Sequence, residues 1–354
     1  MYNQINDAEL VREDLAGAAA RMTGVSSEGI FPYGELSEFL EEFLKMLCGP
    51  TCTLVCAGLV TPEIAVATDR AGVKLREIPG ESPFTIDPQT VSSRVESPHD
   101  VIYVANPNRV SGACLTVKSL AHLVEAVPQG YLIVDESLFD YCSITALSLL
   151  EDYQNVIILR SFTTPFGIHS SGAGFGIAGK RLVATMKAAI HLGSVSRAIR
   201  QAIVTAIESG RAAVLRRQEI HDESLRIAVA LTHLGVQCRL SATDFLLVRV
   251  ASPKDAGNFL VANKVPVENL DGYPGMRNYL RYRLSSRESN DRLLESFKKM
   301  PGHFVRIPGF DRRAVSLHRR KASGGEPGGK RRYVSGPLPD RVSRRNASTV
   351  GADK

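Results

Sequence analysis

Arg160-Ser161-Phe162-Thr163-Thr164-Pro165-Phe166-Gly167-Ile168 links two short runs that read as strands, Asn155–Leu159 before it and Ala173–Ala178 after it. Further β-rich runs lie upstream at Cys52–Cys56, Gly72–Ile78, Val101–Ala105 and Tyr131–Val134, and they alternate with helical segments. Most of these runs are apolar throughout rather than at every second residue. That pattern suits strands buried between two layers of helices in a largely parallel sheet. Asp7–Met22 and Gly34–Leu47 are expected as helices. The second places Leu36, Phe39, Leu40, Phe43, Leu44 and Leu47 on one side. Leu182–Leu234 reads as mainly helical, and Gln237–Lys299 as strand, strand, helix, strand, helix. The expected fold is therefore α/β, with a three-layer large domain built on a mostly parallel sheet and a small C-terminal α+β domain. The expected boundaries are an N-terminal helical segment over 1–24, the large domain over 25–215, the small domain over 216–305, and a disordered basic tail over 306–354.

The formal charge of +6 is unevenly distributed. From His303 to Lys354 there are 13 Lys/Arg and 4 Asp/Glu, which leaves 30 basic and 33 acidic residues in the rest of the chain. The body is mildly acidic and the tail basic. Such a tail could bind nucleic acid, but no folded nucleic-acid module accompanies it, so a solvated extension is the expectation. No apolar run is long enough for a bilayer, and Met1–Asp14 lacks the basic and apolar regions of a signal peptide, so a cytoplasmic protein without a membrane partner is expected. Cys48, Cys52 and Cys56 recur every four residues. Gly49-Pro50 should end one helix before the strand that carries the other two, so buried free thiols are expected and no metal site.

Five motifs in order carry a family resemblance. Val101-Ile102-Tyr103-Val104-Ala105-Asn106-Pro107-Asn108-Arg109-Val110-Ser111-Gly112 comes first, followed by Ile133-Val134-Asp135-Glu136-Ser137. The loop Ser161–Ile168, Gly174-Phe175-Gly176-Ile177-Ala178 and Tyr279-Leu280-Arg281-Tyr282-Arg283-Leu284-Ser285 complete the series. Together, over roughly Leu10 to Met300, they resemble fold-type-I pyridoxal-phosphate (PLP) enzymes of aminotransferase class I/II. The likeness is greatest to histidinol-phosphate aminotransferases and threonine-phosphate decarboxylases. In that family the loop reads Ser-Phe-Ser-Lys, and the lysine holds the cofactor as a Schiff base. Thr164 stands at the lysine position, and a hydroxyl cannot form an imine.

The resemblance assigns further residues. Asp135 matches the carboxylate beside the pyridine nitrogen, and Arg281 the arginine that grips a substrate carboxylate through two parallel hydrogen bonds. Asn108 and Ser161 would touch the cofactor if any were bound. Other positions depart from the pattern. Arg109 replaces an asparagine, Leu138 a tyrosine, and Gly172 a basic phosphate ligand. The aromatic residue that stacks on the ring has no counterpart between Leu59 and Thr61. The phosphate turn aligns with Tyr33-Gly34-Glu35-Leu36-Ser37, where Glu35 would repel a phosphate. The N-terminal arm that in the family reaches the partner's active site is expected to be absent. His169 is the nearest ionisable group that could take over chemistry, although it does not occupy the lysine position itself.

The expected function is a degenerate aminotransferase-like protein, acting as a non-catalytic partner subunit or a small-ligand binder. No cofactor is expected, or PLP held non-covalently. Expected partners are a second copy of the chain or an active aminotransferase homologue, as serine palmitoyltransferase pairs a lysine-less subunit with an active one. The alternative is an enzyme of the same fold with lysine-independent chemistry. In it Thr164, Asp135 and His169 would act on an amino-acid or carboxylate substrate bound by Arg109 and Arg281.

Overall fold

The computed structural model describes residues 7–48, 51–166, 172–190, 192–208 and 212–307. Seven strands make the larger sheet: β1 (Ile30–Tyr33), β2 (Thr53–Ala57), β3 (Lys74–Ile78), β4 (Val101–Ala105), β5 (Tyr131–Asp135), β6 (Val156–Ser161) and β7 (Gly174–Ala178). Their order is β1-β7-β6-β5-β4-β2-β3, parallel from β3 to β6, with β7 antiparallel to both β6 and β1. Alternate residues of each strand feed two separate cores. Ile102, Val104, Leu132 and Val134 pack with the helices Asp7–Thr23 and Val117–Glu125 on one face. Val101, Tyr103, Ala105 and Ile133 pack with Leu36–Leu47, Pro62–Arg70 and Lys180–Ala189 on the other. The uniformly apolar strands are thus buried on both sides, as a three-layer α/β fold requires.

Strand β1 has no counterpart among the expected runs. Ile30-Phe31-Pro32-Tyr33 is too short for a period, and Pro32 confines it to a sheet edge, where it lies. Its aromatic rings lie across the glycines of β7, with Phe31 paired to Gly176 and Tyr33 to Gly174. A Cβ at Gly176 would run into the Phe31 ring, and one at Gly174 would run into the Tyr33 phenol. The alternation Gly174-Phe175-Gly176 is therefore a packing requirement.

The second sheet contains β8 (Gln237–Leu240), β9 (Phe245–Arg249), β10 (Glu268–Asn269) and β11 (Tyr279–Arg283), in the order β10-β11-β9-β8, all antiparallel. The helices Ala212–His233 and Arg287–Lys299 pack on it around Ile227, Leu231, Leu280 and Leu293. Ser286 caps the latter helix, accepting from the Ser289 amide at 3.3 Å. Leu59, Val110 and Leu138 from the first sheet's loops share a core with Phe245, Leu247, Leu270 and Met276 and join the two sheets. That shared core gives the aliphatic residues at 59 and 138 a packing role. Met1–Pro308 form one compact unit. The tail expected over 306–354 lies, from residue 308 on, outside the described residues.

One expectation is corrected. Cys48 and Cys52 form a disulfide with a Cα–Cα distance of 5.4 Å, so Cys48 is not the outlier of the cysteine series. The end of the helix Leu36–Leu47 returns to the start of β2, and this proximity pairs Cys48 with Cys52 rather than Cys52 with Cys56. Cys56, Cys114, Cys142 and Cys238 are free thiols. No helix among the described residues is long and apolar enough to cross a membrane.

Candidate functional site

The carboxyl ends of β4, β5 and β6 open onto one side of the sheet, the usual place for a ligand crevice in an open α/β sheet. A cleft of about 500 Å³ lies there, large enough for a small molecule. Its wall includes Tyr33 at the end of β1 with Glu35 and Ser37 after it, Glu63, Arg109, Ser137 after β5, Ser161 at the end of β6 with Thr163 and Thr164 after it, Gly172, and Arg283 from β11.

Asp135 ends β5 with a fully buried side chain. Tyr103 donates its hydroxyl to Oδ2 at 2.7 Å, and the Ser137 amide donates to Oδ1 at 2.9 Å, with the Ser137 hydroxyl on the same oxygen. Arg109 Nη1 lies 3.8 Å from Asp135 Oδ2 and 2.5 Å from Glu63 Oε1. Burial works to lower the Arg109 pKa, but the carboxylates of Asp135 and Glu63 outweigh it and hold the guanidinium firmly charged. Tyr33 projects its phenol beneath the cleft, donating to the Arg160 carbonyl at 3.3 Å. Burial pushes this phenol far up, and Asp135 adds to the shift.

Asn108 is buried, and both ends of its side-chain amide are engaged by the chain itself. Its Oδ1 accepts from the Val110 amide at 3.1 Å, the Ser111 amide at 3.0 Å and the Ser111 hydroxyl at 3.2 Å, while Nδ2 donates to the Leu59 carbonyl at 2.8 Å. The residue builds the turn that aims Arg109. Ser161 has a comparable role at the end of β6, its Oγ accepting from the Thr163 amide at 3.1 Å and the Thr164 amide at 3.0 Å. This turn brings Thr164 onto the cleft wall.

The structure brings Thr164, Arg109 and Ser161 onto one cleft wall, with Asp135 buried behind Arg109. Arg281 is placed differently. Its Nε donates to Glu268 Oε2 at 2.9 Å, Nη2 meets the same carboxylate, Nη1 meets the Arg109 carbonyl, and the guanidinium lies 5.3 Å from the Phe245 ring centroid. Arg283, two residues along β11, is the arginine that lines the cleft, and its Nη1 donates to Asp244 at 2.7 Å. His169 lies outside the described residues. Among the described residues no group of three or more His, Cys, Asp or Glu could hold a metal ion.

Sequence reasoning missed two features beside the cleft. One is the pairing of Glu35 with Gly172, whose amide donates to Glu35 Oε1 at 2.9 Å. The other is a buried polar network behind β5 and β6. Arg160 donates from Nε and Nη2 to Glu136 Oε2 at 3.0 and 2.9 Å, the Ala146 amide donates to Oε1 at 2.6 Å, and Arg160 stacks on Phe139 at 3.8 Å. Burial raises the Glu136 pKa, against the pull of Arg160. The available signal was a charged residue in each of two apolar strand motifs, one on each of two adjacent strands.

Comparison with known proteins identifies the family and the fold. The family model described as aminotransferase class I and II matches residues 34–297. A histidinol-phosphate aminotransferase of Chlorobaculum tepidum is 32% identical over 234 residues, covering 65% of this chain and 66% of that protein. The histidinol-phosphate aminotransferase of Sinorhizobium meliloti, solved in complex with pyridoxal-5'-phosphate, superposes with a TM-score of 0.70 at 18% identity, over 82% of this chain and 83% of that one. The L-threonine-O-3-phosphate decarboxylase of Porphyromonas gingivalis gives a TM-score of 0.66 at 16% identity, over 81% and 88%. At these identities the structural likenesses speak for the fold alone.

Proposed function

The chain belongs to the class I and II aminotransferases, and from that premise we propose that it is a member without Schiff-base chemistry, whose cleft binds a small ligand rather than running a transamination. The observation that carries this reading is the guanidinium of Arg109, 3.8 Å from the Asp135 carboxylate. In the family that carboxylate faces the protonated pyridine nitrogen of PLP, and two cations beside one carboxylate repel each other. The phosphate end argues the same way. Glu35 and Gly172 occupy the two positions where the family binds phosphate, and here they bind each other. Thr164 offers no amine. These residues do not fit PLP.

What the chain's own groups can do is bind and orient. Tyr103, Ser137 and Arg109 hold Asp135, and the Ser161 turn presents Thr164. A homodimer, or a heterodimer with an active homologue, is the assembly proposed with this reading, and co-purification with an intact relative tests it. The cofactor reading is tested by the visible absorbance of the purified protein with added PLP, then borohydride reduction and intact mass. A free-cofactor spectrum and an unchanged mass are expected. A protonated-imine band with a permanent mass gain would mean that another lysine has taken over and that the reading is wrong.

A further inference from the structure

We infer that the cleft takes an organic cation bearing a primary ammonium group, with Glu35 as its principal counter-ion. The inference rests on the cofactor-free reading above. In the sequence pattern Glu35 stands where the family binds an anion, so the ligand class is reversed at that end of the cleft.

The cleft wall itself carries two carboxylates, Glu35 and Glu63, and two guanidiniums, Arg109 and Arg283, but each guanidinium is also held by a buried carboxylate behind the wall. Arg109 is shared between two carboxylates, Glu63 at 2.5 Å and Asp135 at 3.8 Å. Arg283 is matched by Asp244, which is itself buried. Glu35 adds a third carboxylate, and among the described residues no lysine or arginine pairs with it. Setting Arg283 against Asp244 leaves Glu35 and Glu63 on the wall and Asp135 behind it against Arg109, a local excess of two negative charges. Glu35 immediately precedes the helix Leu36–Leu47, and the partial positive charge of that helix end offsets about half a unit. The cleft therefore stays negative, and its narrow wall focuses that field on whatever enters.

Hydrogen-bonding chemistry narrows the cation further. Glu35 receives one amide hydrogen bond, on Oε1, and its carboxylate lines the cleft beside the Ser37 and Thr164 hydroxyls. These are oxygens able to accept. An alkylammonium offers three N–H donors and no acceptor, which complements such a wall, whereas a quaternary ammonium offers charge without donors. A phosphate or carboxylate ligand would meet Glu35 with like charge, and the two arginines are already engaged by acids of the chain.

The test uses the full chain at low salt, with 1,4-diaminobutane, tetramethylammonium and inorganic phosphate as probes and thermal unfolding with calorimetric titration as readouts. The diamine is expected to raise Tm saturably, since a ligand bound only by the native state stabilises it. Tetramethylammonium should bind at least tenfold more weakly, and phosphate should produce no shift. Glu35→Gln, at an exposed position, should keep the unliganded Tm and weaken the diamine tenfold or more. A phosphate-induced rise, no diamine binding, or equal diamine affinity in Glu35→Gln would each overturn the assignment, and the first two need no variant. The borohydride mass measurement on the same preparation separates the two readings. A failed diamine titration with unchanged mass removes only the ammonium ligand, while a mass gain removes the cofactor-free premise.

Discussion

A lysine placed at residue 164 should not by itself bring in PLP, because the Arg109 guanidinium already lies beside Asp135. The perturbation is Thr164→Lys, alone and with Arg109→Asn. With Nη1 3.8 Å from the Asp135 oxygen, Coulomb's law at an effective dielectric constant near 20 gives an attraction of about 4 kcal/mol. A third of the Arg109 side chain is exposed and Glu63 shares its charge, so solvent screening reduces the useful fraction to about 2 kcal/mol, or roughly a 30-fold change in affinity. A protonated pyridine would have to displace that guanidinium or sit beside it. The double variant is therefore expected to bind PLP about 30-fold more tightly than Thr164→Lys alone, on the factor-of-ten-per-1.4 kcal/mol scale. Absorbance of the protonated imine across a PLP titration measures the affinity, and borohydride fixation with intact mass confirms the site of attachment. Equal affinities in the single and double variants would refute the idea that Arg109 blocks the ring position.

Two further predictions concern stability. Glu136→Ala strands the Arg160 guanidinium in a site where both side chains are almost wholly buried, and the expected loss is about 3–5 kcal/mol, read from urea unfolding. A loss below about 1 kcal/mol would place that pair among weak surface ion pairs. The second prediction concerns pH. The Glu223 pKa is held below its ordinary value of 4.5, chiefly by its hydrogen bonds from Arg226 and also by one from Asn290. A depressed carboxylate stabilises the fold fully above its unfolded pKa and loses that contribution as pH falls through the folded value. Glu223→Gln should accordingly lower Tm near pH 7 and converge with the parent below the usual carboxylate range. A Tm gap of constant size down to pH 3 would contradict this.

Much of the architecture is legible in residue order alone. The run Val101–Ala105 coincides with β4, and the other five expected runs lie within a residue or two of β2, β3, β5, β6 and β7; except in β3, whose residues are mostly exposed or half-buried, burial on both faces leaves a largely apolar signature. Helix Leu36–Leu47 follows from its apolar spacing, although it begins two residues later than expected. β1 escapes because four residues with a proline carry no periodic signal, and its identity lies in the glycines opposite it. The disulfide escapes because strand and helix geometry, read separately, keep Cys48 and Cys52 apart, and only the folded chain brings the end of the helix Leu36–Leu47 to within 5.4 Å of the residue before β2.

The candidate site divides along the same line. The sequence alone determined that residue 164 is a threonine, that residue 135 is an aspartate, and that Glu35 follows Gly34 at a helix start, since these are matters of residue identity and local order. Tertiary structure decided what those residues face. Arg281 and Arg283 lie two apart on one strand and so share a face. The positions of Glu268 and Asp244 decide that Arg281 is tied down at the strand pair and Arg283 reaches the cleft. Arg109 and Asp135 lie on adjacent strand ends, and Glu35 and Gly172 are 137 residues apart. Side-chain direction across strand ends depends on sheet order and on turns such as the one Asn108 builds, which no local pattern encodes. The absence of a lysine between Ser161 and Ile168 is written in the chain, whereas the charge pattern around Thr164 exists only once the sheet has brought its loops together.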